Sequence, residues 1–163
     1  MSKRLRQYLG LVSSIGIYCL IHEGAHLLCA LFMGVYKQTH FMGLGIQIDV
    51  YADQMTASQM GIFCLAGSLA TAITAWILIA SANRITTGNS PIFKACMYYT
   101  TLAMLLIDPL YLSILCGFFG GGDMNGICLL ISETIARTAY GCLLLFHSWL
   151  FFKVILPKYK TAF

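Results

Sequence analysis

Four stretches of this 163-residue chain stay apolar for longer than the roughly 20 residues a helix needs to cross a bilayer, at about 9–34, 56–82, 92–119 and 126–156. No other feature limits the fold so severely, because backbone donors and acceptors in hydrocarbon must be satisfied within the protein. The composition agrees: 59% hydrophobic and only 10% charged, with mean hydropathy +0.79, where a soluble domain is about a quarter charged. The expected fold is an all-α membrane protein, one domain over residues 1–163, with four transmembrane helices and a hairpin-like loop after the first.

The ends and loops carry most of the charge. The N-terminal "MSKRLRQ" ahead of an apolar run resembles the start of a signal peptide, but the run is too long and lacks a small-residue cleavage pattern, so the segment is expected to be retained. A net charge of +4 without a basic patch interleaved with aromatics excludes nucleic acid as a natural partner and favours the lipid bilayer. The seven cysteines are scattered singly through the apolar runs, with no C-x-x-C pair, as free thiols packed between helices would be.

Two breaks interrupt the apolar pattern. Residues 35–54, "VYKQTHFMGLGIQIDVYADQ", alternate in "GIQIDVY" and carry Gly43 and Gly45, the signals of a hairpin or extended loop. "NRITTGNSP" reads as a turn between the second and third spans. Glu133 and Arg137 are four apart on a helix and can neutralise one another.

Inside the first run stands "YCLIHEGAHLLCALF", which puts His22, Glu23 and His26 at membrane depth, where ionisable groups are costly and mark function. Residues i and i+4 project from one helical face, so the two imidazoles of H-E-x-x-H can hold one Zn²⁺. Glu23, a quarter-turn away, reaches a water activated by the metal and suits a general base. A bound dication makes all three groups favourable at once; unliganded, they would need hydration or mutual pairing.

A catalytic zinc takes three protein ligands and leaves one open position. Asp123 in "FFGGGDMNGI" is favoured as the third, because Gly120, Gly121 and Gly122 can unwind the backbone there. Asp108 in "LLIDPLY" is its rival, since Pro109 loosens the helix beside it. His40, His147, Asp49 and Asp53 complete the candidates. With Asp123 as ligand, Asp108 becomes a supporting residue behind the ligands or a helix breaker shaping the cleft.

Taken in order, "HEGAH", the extended loop 35–54, "AGSLAT" at 66–71 and "DPLYLSILCGFFGGGDMNG" at 108–126 resemble the site-2 proteases, the intramembrane zinc metalloproteases. Ser68 and Thr71 stand where that family tends to have proline and asparagine, and Asp123 is followed by Met124-Asn125-Gly126 where the family has glycine directly. The resemblance implies zinc-dependent hydrolysis of a peptide bond in a membrane-spanning substrate, with Glu23 as the base and His22, His26 and an aspartate on the metal. It implies substrate, oxyanion or supporting roles for Ser68, Thr71, Asp108 and Asn125; helix packing through the small residues Ala66, Gly67, Ser68 and Ala70 competes with such a role.

Two other functions use the same histidines: a metal transporter or sensor, and a catalytically silent binding subunit. The expected partners are a membrane-spanning peptide or protein substrate, the bilayer, and further copies of the chain as a homo-oligomer. Lys3, Arg4 and Arg6, Arg84 and Lys94, and Lys158 and Lys160 all fall on one side of a four-span arrangement, which puts both termini in the cytoplasm. That arrangement puts the loop 35–54 outside, whereas the resemblance implies that it faces the cytoplasm.

Overall fold

The computed structural model describes residues 1–42 and 45–160. Helix α1 (Lys3–Phe32) is followed by strands β1 (Tyr36–Met42) and β2 (Gly45–Val50), then by α2 (Ala57–Thr87), α3 (Pro91–Phe119), the short α4 (Asp123–Ile127) and α5 (Glu133–Tyr159). Four of these helices are long and apolar enough to cross a membrane. The chain is an all-α, multi-pass membrane protein. Its outward side chains fit that solvent: Val12, Leu20, Leu28 and Leu145 are each more than 60% exposed, an arrangement that water would penalise and lipid does not.

Local chemistry sets the helix starts. Thr56 and Gln59 form a reciprocal capping box at the head of α2. Ser90 caps α3, with Pro91 in the first turn, where its missing N–H has no helical acceptor to serve. Ser132 caps α5, and here the sequence reading needs correction. The fourth span begins at Glu133 rather than at residue 126, because 123–127 fold as a separate short helix and Ser132 restarts the ladder.

The break "NRITTGNSP" is also shorter than expected. Asn83 to Thr87 remain helical, since Ile85 is buried and the Thr86 and Thr87 hydroxyls donate back to carbonyls of their own turn. Strands β1 and β2 pair antiparallel, with Thr39 opposite Ile48 and Phe41 opposite Ile46. Residues 43 and 44, where the glycine turn of that loop was expected, lie outside the described residues.

Helix α1 packs on α2 and α3, α5 lies against α3, and α4 against α2. Two apolar clusters divide the bundle. One, around Ala30, Ile48, Phe63, Leu112 and Met124, joins β2 to the helices. The other, around Ala75, Met104, Leu105, Phe151 and Ile155, fills the half nearer the termini.

Pro109 stands inside α3, and its missing N–H leaves the carbonyl of Leu105 without a helical donor. His147 on α5, which is completely buried, supplies one: its Nδ1 donates to Leu105 O at 2.8 Å. A π-helical turn at Tyr111–Leu115 follows. Arg137 donates to the carbonyls of Ser113 (3.1 Å) and Ile114 (3.3 Å) while pairing with Glu133 at 2.8 Å. The break in α3 is thus held from α5. Irregular backbone of this kind persists at membrane depth only where protein satisfies it.

Candidate metal centre

His22 and His26 lie one turn apart on α1, with their Nε2 atoms 3.2 Å from each other. Asp123, the first residue of α4, brings its Oδ2 to 3.2 Å from His22 Nε2 and 3.4 Å from His26 Nε2. Its route to that position depends on the preceding glycines. Gly120 (φ +91°) and Gly122 (φ +44°) adopt backbone that L side chains resist, and Tyr111 Oη donates to Gly120 O at 2.8 Å, tying the loop back to the π turn.

The three ligand atoms form a nearly equilateral triangle. Four ligands arranged tetrahedrally about 2.0–2.2 Å from a zinc ion stand roughly 3.3–3.6 Å from one another, so edges of 3.2, 3.2 and 3.4 Å are close to one face of such a site. The outward sides of the rings explain why the inward atoms are acceptors. His26 Nδ1 faces the Phe63 carbonyl at 2.8 Å, an acceptor with no proton to give, so this nitrogen carries the hydrogen. His22 Nδ1 faces Asp108 Oδ1 at 3.2 Å.

In each neutral ring the proton sits on Nδ1 and the Nε2 lone pair points inward. Two imidazole lone pairs and a carboxylate oxygen then converge with nothing to accept. That arrangement is repulsive by itself and favourable around a cation, so the residues fit a divalent metal with borderline preference for nitrogen and oxygen. Among the described residues, His22, His26 and Asp123 are the group of His, Cys, Asp or Glu side chains that could hold a metal ion.

Asp108 is 3% exposed and receives Tyr18 Oη at 2.5 Å and the Thr71 hydroxyl in addition to His22. A buried carboxylate with that many donors is satisfied where it stands, and it fixes the tautomer and tilt of His22. The two aspartates therefore occupy different shells. Ser68 is buried and engaged with Leu65 O (3.1 Å) and Tyr140 Oη (2.7 Å), so it faces no cavity. Thr71 reaches the site only through Asp108, and Asn125 packs across Gly121. The Ser68 hydroxyl is thus committed to helix packing, whereas Asn125 is exposed two residues beyond Asp123. His40 pairs with Asp49 at 2.8 Å on the sheet, outside the ligand group, and His147 is the cap on Leu105 described above.

Glu23 lies beside the trio and faces the Gln47–Ile48 stretch of β2 across a shared cavity. A cavity of about 350 Å³ is walled by these four residues together with Gln47 and Ile48 of β2, Phe63 and Gly122. A second, of about 430 Å³, opens between α1 and α3 and shares His22, Glu23 and Asp123 with the first. Its outer wall includes Ile107 and Leu110, both 38% exposed on the lipid-facing side.

Gly67 is the residue that sequence reading undervalued. A β-carbon there would lie 2.6 Å from Nε2 of both histidines, so a bare backbone on α2 is what leaves room at the ligand face. Its place in "AGSLAT" marked it only as a small packing residue. No family model, no curated protein and no solved structure matches this chain.

Proposed function

We propose that this chain is an intramembrane zinc-dependent endopeptidase, of the kind its sequence resembles in the site-2 proteases, acting on a membrane-spanning peptide or protein. The observation that carries the reading is Glu23 standing beside three converging acceptors, His22, His26 and Asp123, in a cavity that also opens between α1 and α3. Zinc in that position would supply Lewis acidity toward a carbonyl and toward water.

The chain's own residues supply the rest. Asp108, held by Tyr18 and Thr71, keeps His22 in the tautomer that can ligate. Phe63 O does the same for His26. Glu23 takes a proton from water in the cavity and returns it to the departing amine nitrogen, both roles falling within reach of one carboxylate. A substrate must be locally unwound to present an amide there, because a helix keeps its amides hydrogen-bonded within itself. The wall of Ile107, Leu110 and Leu115 favours apolar side chains on the segment that enters.

The competing use of the same ligands, metal transport, requires a polar path through the bundle. Beyond the site the interior is filled by Ala75, Met104, Leu105, Phe151 and Ile155, which favours hydrolysis over passage.

The test is cleavage of a membrane-spanning substrate by the purified chain in liposomes. Glu23→Gln should keep fold and zinc while reducing cleavage at least about 100-fold, the usual scale for loss of a general base. Wild-type cleavage by that variant would remove Glu23 from the mechanism.

A further inference from the structure

The end of the bundle remote from the metal centre has a different chemistry. Eight of the chain's ten lysines and arginines belong to it: Lys3, Arg4 and Arg6 open α1, Lys153, Lys158 and Lys160 close α5, and Arg84 and Lys94 flank the turn from α2 to α3. None of the six Asp and Glu side chains is there; Glu23, Asp108 and Asp123 surround the ligand trio, and Asp49, Asp53 and Glu133 lie on the elements of the opposite end. Among the described residues, none of the eight cations is in an ion pair.

These cations do not merely decorate a surface. A cavity of about 210 Å³ is walled by Lys3, Gln7, Tyr98, Tyr99, Tyr159 and Lys160, so the start of α1 and the end of α5 share one hollow. A neighbouring cavity of about 330 Å³ shares Gln7 and Tyr99 and adds Arg4. The wall between them rests on a close helix approach. At Gly10 a β-carbon would lie 2.8 Å from the Tyr99 ring and 2.9 Å from Ala95 O, so the missing side chain lets α3 lay Tyr99 against α1. The result is a recess at the helix ends, lined by ammonium, guanidinium, amide and phenol groups, with no Asp or Glu side chain among its lining residues.

We propose that this recess binds a phosphate group, supplied by the headgroup of an anionic phospholipid. Lysine and arginine meet phosphate oxygens with charge-assisted hydrogen bonds. Tyrosine rings favour the depth at which headgroups lie, and basic pockets between helix ends are where anionic headgroups seat. A membrane anion held there would tie the first and last helical turns together at a position remote from the metal centre.

The test uses the full chain in detergent micelles, with lipid retention read by native mass spectrometry. The probes are phosphatidylglycerol, phosphatidylcholine and inorganic phosphate, and the variants are Lys3→Gln with Lys160→Gln, and Lys37→Gln on β1 as the control. Phosphatidylglycerol should be retained in preference to phosphatidylcholine, and its affinity should fall roughly thirty-fold in the double variant, about five-fold per cation, while Lys37→Gln leaves it unchanged. Equal retention of the two lipids, or a preference that survives in the double variant, would overturn the proposal. Protection by millimolar inorganic phosphate without any lipid preference would assign the recess to free phosphate and overturn the lipid source. The melting temperature of the double variant, unchanged in the absence of added lipid, separates loss of binding from loss of fold.

Discussion

Replacing Gly67 by alanine separates the metal centre from the stability of the bundle. The new β-carbon would stand 2.6 Å from both Nε2 atoms, about 0.8 Å inside the distance at which ordinary contact begins. These neighbours are not the free ends of flexible chains. His26 is pinned by Phe63 O and His22 by Asp108, so neither ring can swing aside without losing its outward hydrogen bond. Ligand positions in a metal site tolerate only about 0.2 Å, and a shift several times larger should lower zinc affinity at least about 100-fold. Folding should change little. Overpacking costs about 1–3 kcal/mol, offset by about 1 kcal/mol of helix propensity gained when glycine becomes alanine. Chelator competition gives the affinity, and thermal melting of the metal-free protein gives the stability. Zinc affinity within about three-fold of wild type would refute the claim that α2 leaves its backbone bare to make room for the ligands.

Asp108→Asn should lower zinc affinity about 10- to 100-fold with helical content intact, because an amide can present a donor to His22 Nδ1 and release its tautomer; unchanged affinity in the same competition assay would contradict that role. His147→Leu should lower stability by about 1–3 kcal/mol, the cost of leaving the Leu105 carbonyl without a donor, yet leave zinc affinity alone, as melting and chelator titration would report. The distribution of lysine and arginine predicts cytoplasmic termini, so Gln38→Cys in intact cells should react with an impermeant thiol reagent from outside, and its protection would reverse the orientation.

What could be read from the sequence was whatever depends on local pattern. Apolar runs longer than a bilayer's thickness mark the four spans, and i, i+4 spacing alone puts His22 and His26 on one face of α1. The triple glycine before Asp123 marked a place where backbone could bend, and the positive φ of Gly120 and Gly122 is where it does. Features that rest on contacts between distant segments left no such mark. Arg137 looked like half of an i, i+4 ion pair, and its bond to Glu133 is real, but its donors also reach Ser113 and Ile114, more than twenty residues earlier. His147 looked like a spare ligand until Pro109 and the carbonyl it frees on Leu105 were seen across the helix interface. The motif around Ser68 fits a substrate role or helix packing equally, and its hydrogen bond to Tyr140 of α5 leaves no trace in the local pattern. The start of the fourth span was misjudged because "GICLLIS" is as apolar as a helix, and only the Ser132 cap shows where the ladder restarts.

Zinc content measured by mass spectrometry of the purified, chelator-washed and reloaded protein addresses the central claim most directly. Wild type and Glu23→Gln should each hold about one equivalent per chain, whereas Asp123→Ala, which removes the oxygen that lies 3.2 Å from His22 Nε2 and 3.4 Å from His26 Nε2, should retain almost none after the same wash. Equal zinc in Asp123→Ala and wild type, or none in wild type, would contradict the assignment of His22, His26 and Asp123 as a metal centre.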